Sequence, residues 1–161
     1  CHAAVEFEDP RASVKALQDA GIAIGKLQLS AALRIAEVDA QTEAQLRPFD
    51  EPVYLHQVVQ KHDNQLTRFA DLDEALAQLD QAHDSEWRVH FHVPIFLEEM
   101  RDFATTQSFL REILQLHREQ PMTSHLEVET YTWDVLPEHY RNVGVGAAIA
   151  RELNWVKDQL S

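Results

Sequence analysis

Two histidines stand two residues apart in His90-Phe91-His92, and two glutamates likewise in Glu127-Val128-Glu129. In an extended chain alternate side chains point the same way, so each pair shares one face of a strand. Two imidazoles at that spacing suit a shared metal or a polyol ligand; the plainer alternative is a pair hydrogen-bonded in a polar interior. Two carboxylates on one buried face repel, so one must take a proton or hold a cation. The alternative is that one of them reaches solvent or pairs with a Lys or Arg. Lys26-Leu27-Gln28-Leu29-Ser30 brings an ammonium, an amide and a hydroxyl into register, with Gln28 able to ligate a hard cation through its oxygen or to bond a hydroxyl. An internal hydrogen-bond network accounts for that register equally well. Near the start, His2, Glu6 and Glu8 alternate with Ala3, Val5 and Phe7. Tyr131 and Trp133 extend the face of Glu129, as a wall for a sugar-like ring or as packing. His56 and Gln57 read as part of a hairpin lid or as ordinary strand residues. His62, His83, His117 and His139 fall in turns or helices and read as surface.

These side chains need strands to carry them. Period-two patterning marks strands at 3–7, 24–30, 53–60, 66–69, 87–95 and 125–133, with helical patterns between most of them. Asp9-Pro10 reads as a cap and first residue of a helix through Val14, Leu17 and Ala20, stopped by Gly21. Residues 31–46 read as helical or irregular. Lys61-His62-Asp63-Asn64 reads as a hairpin turn. Asp71-Leu72-Asp73-Glu74 is a capping box. Thr105 or Thr106 caps a helix through Leu116. The chain ends in an amphipathic helix from Pro137 onward, with Ile149, Leu153, Val156 and Leu160 on one face.

Strands alternating with helices indicate βαβ units and a mostly parallel sheet. In an open doubly wound sheet both faces are covered and central strands are apolar on both sides. Here one face of each strand is polar, which fits a barrel with helices outside and a polar interior near its mouth. The expected fold is therefore α/β, the C-terminal part of a TIM (β/α)8 barrel. Such a barrel takes about 250 residues, and the chain begins Cys-His-Ala-Ala with no Met. Residues 1–161 are thus expected to be the C-terminal portion of a single barrel domain, truncated at the N-terminus.

Composition narrows the partners. There are 27 acidic against 14 basic residues, a net charge of −13. That charge argues against nucleic acid and against anionic lipid. No apolar run approaches the roughly 20 residues of a membrane helix. The lone cysteine, Cys1, allows no internal disulfide and fits a reducing cytoplasm. Glycine loops for nucleotides, GxSxG elbows and CxxC pairs are absent.

The stretches CHAAVEFEDP, IGKLQLSAALR, EPVYLHQVV, EWRVHFHVPIF and HLEVETYTWDVLPE resemble the bacterial EboE family, the metabolite traffic proteins. The opening CHAAVEFE is similar to the end of the Asp-x-Cys-His strand of xylose-isomerase-like barrels, the superfamily of sugar epimerases and endonuclease IV. The resemblance implies a cytoplasmic barrel serving export or processing of a secondary metabolite, with partner proteins in the membrane or encoded beside it. It also implies a divalent metal (Mn²⁺, Mg²⁺ or Zn²⁺) held by Glu129, the match to the closing-strand Glu of the epimerases. Gln28 stands where they carry a metal-binding His, and completes the shell. On this expectation Glu129 and Glu6 are catalytic, with Lys26 assisting proton transfer. His2, His90, His92, Lys26 and Glu127 bind a small polyhydroxylated substrate, and the reaction is isomerisation or epimerisation. Gln28 in place of His favours the alternative, a non-catalytic carrier for a small polar metabolite.

Overall fold

A computed structural model describes residues 1–129, 134–136, 138 and 143–161. In chain order the elements are α1 (His2–Val5), α2 (Pro10–Asp19), β1 (Leu27–Leu29), β2 (Ala31–Ile35), α3 (Thr42–Leu46), β3 (Val58–His62), β4 (Gln65–Phe69), α4 (Leu72–Leu76), β5 (Glu86–Val93), β6 (Glu99–Met100), β7 (Phe103–Thr105), α5 (Gln107–Glu119), β8 (Leu126–Val128) and α6 (Val145–Leu160). Single 3₁₀ turns lie at Arg47–Phe49 and Leu79–Gln81.

Six strands form one antiparallel sheet in the order β4-β3-β5-β2-β7-β6, and β1 and β8 form a separate two-stranded parallel pair. This overturns the barrel. A (β/α)8 barrel needs parallel neighbours joined by crossover helices, and among the described residues only β1 and β8 pair in parallel. The long central strand β5 is flanked by antiparallel β2 and β3. Two features produced the barrel-like pattern. The helical turns at 72–76 and 79–81 carry the chain from β4 past β3 to β5, within a sheet whose neighbouring strands are antiparallel, so they do not join neighbouring parallel strands as barrel helices do. The polar face of β5 belongs to one side of an open sheet that the short helix α1 covers in part, while the polar residues of β1 and β8 lie on the separate parallel pair.

Local chemistry explains most of the elements. Asp9 caps α2 through the Ala12 amide, with Pro10 at its first position, and Gly21 takes φ +68 just past its end. The β3–β4 hairpin turns through Asp63, at φ +51, where a short polar side chain is tolerated. Asp71 accepts from the Leu72 amide, while Glu74 reaches back to the Ala70 amide. In α6 the buried line is Ala148, Glu152 and Val156, and Leu153 is 42% exposed, so the inward face is rotated from the expected one. The expected strand at 3–7 is helical from His2 to Val5. Ala31–Ile35, expected helical or irregular, is the strand β2. It is buried on both faces except at Arg34, so it carries no alternation to read.

The main core lies on one face of the sheet. Trp87, Val89 and Phe91 of β5 meet Leu33, Val58, Phe49, Leu72 and Leu114 there. The opposite face is thinner. Val5 of α1 packs on Ala32 and Val59, with Cys1, Phe7 and Leu66 around them. Register puts Arg34, Val59, Arg68, Arg88, His90 and His92 on this second face. Among the described residues no helix is long and apolar enough to cross a membrane.

Candidate metal centre

The second face of β5 carries Arg88, His90 and His92, and α1 is laid across it. Three contacts besides Val5 fix α1 there. Arg88 donates through Nη1 to the Ala4 carbonyl, and its guanidinium stacks 3.8 Å from the Phe7 ring centre. Glu6 accepts from Arg68 at 2.7 Å. Phe7 sits at φ +57, the left-handed region, which turns the chain out of α1 toward α2.

This placement brings Cys1 to the two histidines. The Cys1 sulfur and one nitrogen each of His90 and His92 all lie within 4.8 Å of one another. The Nε2 atoms of His90 and His92 are 3.1 Å apart. With zinc–nitrogen bonds near 2.0–2.1 Å, two imidazole nitrogens on a tetrahedral ion lie about 3.3 Å apart. The pair is therefore already at metal-holding separation. His2 is exposed and meets His90 edge-on, ring centres 4.2 Å apart. Glu129 continues the β1–β8 ladder by donating its amide to Leu29, and its Oε2 lies 3.9 Å from Nδ1 of His92. The carboxylate thus faces the nitrogen of His92 that points away from the cluster.

Electrostatics favour neutral imidazoles. Burial, then the nearby His2, pushes His90 down to about 4. Burial, then His90, pushes His92 down to about 3. A metal needs the neutral ring, so both are ready to ligate at neutral pH. The same shifts weigh against a Cys–His nucleophile pair, in which an imidazole must accept the thiol proton.

The remaining expected site residues lie elsewhere. Glu6 is on this face but bound to Arg68. Lys26 and Glu127 pair with each other at 2.7 Å on the exposed side of β1–β8. Gln28 is exposed and in register with Glu127. Tyr131, Trp133 and His139 lie outside the described residues. His56 is fully buried on the core face, its Nε2 2.9 Å from Glu51 and its Nδ1 3.4 Å from the His90 carbonyl. His117, expected at the surface, is buried and accepts the Met122 amide. Sequence reasoning missed Cys1 as a donor. Its only signal was its adjacency to His2, and its partners come from a strand some 90 residues away.

Comparison with known proteins brings no match: no protein-family model fits the chain, and no curated protein and no solved structure is similar to it.

Proposed function

We propose that this chain binds a transition metal through Cys1, His90 and His92 and uses it to hold a small polar metabolite. The observation that carries the reading is the convergence of one sulfur and two imidazole nitrogens within 4.8 Å. A thiolate with two imidazoles is a soft to borderline donor set. It suits Zn²⁺, and Co²⁺ as its stand-in, rather than Mg²⁺ or Mn²⁺, which prefer oxygen. The Glu129 backbone at the His92 ring, with its carboxylate 3.9 Å from Nδ1, supports the same reading, because the far nitrogen of a ligating histidine is commonly held by a backbone carbonyl or a carboxylate. The stretches resembling the EboE family are the reason for naming a small metabolite as the ligand.

Binding is preferred over isomerisation on one ground. The two groups expected to move protons, Glu6 and Lys26, are each tied in an ion pair. A metal-dependent enzyme is the second reading, and the three-donor set favours it, since zinc sites with three protein ligands are the catalytic ones. The test is elemental analysis of the protein after zinc loading and desalting, beside His90→Ala and His92→Ala. One zinc per chain that both variants lose supports the proposal. No retained zinc in the wild type overturns it.

A further inference from the structure

We infer that the fourth coordination position of this centre takes a small monoanionic oxygen donor, such as a metabolite carboxylate, and not another side chain. The inference rests on the metal reading above and adds the ligand's class. Three observations carry it.

The first concerns the side chains nearest the cluster. Among the described residues no further Cys, His, Asp or Glu joins Cys1, His90 and His92 within reach of one ion. Glu129 faces the far nitrogen of His92, and Glu6 is occupied by Arg68. Glu51 is held by His56, whose ring packs on Phe91 on the core side of the sheet.

The second is charge. A divalent ion with one thiolate and two neutral imidazoles keeps one positive charge, which a single anion cancels. The surroundings agree. On the second face of the sheet Arg34, Lys61, Arg68 and Arg88 are balanced by Glu86, Glu6 and Glu8 and by Glu129 beside His92, so the ion's own residual charge is left for a ligand to cancel.

The third is access. His92 is buried, but Cys1 and His90 are partly exposed, and the exposed His2 ring stands beside His90 as a polar flank. Val5 packs on Ala32 and Val59 close by, so a ligand must reach the cluster from the side of Cys1 and His90.

The test is optical titration of the Co²⁺-loaded full chain, whose sulfur-to-cobalt and d–d bands report the ligand shell. Acetate and azide are the probes, and xylitol is the neutral polyol control. Saturable band shifts at millimolar acetate and azide, with none from xylitol, are expected. In His2→Ala the acetate midpoint should weaken about threefold to tenfold, as for loss of one hydrogen bond. Bands that neither anion moves would show a closed four-ligand site and overturn the inference while leaving the metal reading intact. Shifts with xylitol alone would overturn it as well. Failure to take up Co²⁺ with a thiolate band would remove both.

Discussion

His90 and His92 turn their Nε2 atoms toward each other, 3.1 Å apart, on one face of β5. Without a metal only one of them can donate to the other, and the pair is a single hydrogen bond between neutral rings. With a metal both lone pairs are used. The strand sets their spacing, and α1 supplies the third donor, Cys1.

This arrangement predicts a graded series in zinc affinity, measured by competition with a chromophoric chelator. Cys1→Ser, His90→Ala and His92→Ala each remove a donor and should weaken zinc by more than 100-fold. Glu129→Gln removes the carboxylate 3.9 Å from His92 but keeps the backbone contact, and should cost at most about 10-fold, the low end for an outer partner. Gln28→Ala should change nothing, since Gln28 is exposed on β1. Equal losses for Glu129→Gln and Gln28→Ala would sink the assignment.

Some of this could be read from the sequence, for identifiable reasons. The face shared by Arg88, His90 and His92 followed from strand alternation, and β5 carries it. The hairpin expected from strands 53–60 and 66–69 forms at Val58–His62 and Gln65–Phe69, without strand at 53–57, and the helix α5 followed from helical periodicity. The sheet's topology could not be read, because alternation marks a half-polar face without saying whether it lines a barrel or one side of an open sheet. Strand β2 escaped because its residues are buried on both sides. The helix α1 escaped because four residues of His-Ala-Ala-Val are too short for helical periodicity to show, and packing of Val5 on Ala32 and Val59 decides their conformation. Cys1 enters the site through that packing and the Arg88 contacts to Ala4 and Phe7.

Acid should destabilise the metal-free protein. His90 and His92 are held at about 4 and about 3, chiefly by burial, while an unfolded histidine titrates near about 6.5. The folded state therefore prefers neutral rings, and below about pH 6.5 the unfolded chain binds protons that the folded one refuses. This contribution is fully present above about pH 6.5 and is lost as pH falls toward 4 and then 3. For buried His92 the loss is at most about 1.4 kcal/mol per pH unit. Urea midpoints in the presence of EDTA should fall through this window, and less steeply in His92→Gln. A wild-type midpoint that is flat or rises on acidification would contradict the burial of these rings.

The core face should behave as ordinary packing. Phe91 is fully buried, with Phe49 at 5.1 Å and the His56 ring at 4.9 Å between ring centres. Phe91→Ala should cost about 3–5 kcal/mol, read from the urea midpoint. A cost under about 1 kcal/mol would mean that the core collapses around the cavity or that the sheet is not packed as described.

Beside the Arg88 contacts to Ala4 and Phe7, the Glu6–Arg68 pair and Val5 hold α1 on the sheet, and the magnitudes of these last two say which the metal site depends on more. The Glu6–Arg68 pair is 2.7 Å long, but the Arg68 side chain is 52% exposed. Exposed pairs of this kind contribute at most about 1 kcal/mol. Val5 is 1% exposed against Ala32 and Val59, and truncating it to Ala should cost about 2 kcal/mol through lost burial and the cavity left behind. Because α1 carries Cys1, loosening it also loosens one metal donor. Val5→Ala should therefore lower zinc affinity severalfold and speed alkylation of Cys1 by iodoacetamide in the metal-free protein. Arg68→Ala should leave both nearly unchanged. Zinc added before the alkylating agent should protect Cys1 in the wild type, and less so in Val5→Ala. If Arg68→Ala had the larger effect, the ion pair rather than Val5 would be the anchor of α1, and the account of how Cys1 reaches His90 and His92 would have to be rebuilt around it.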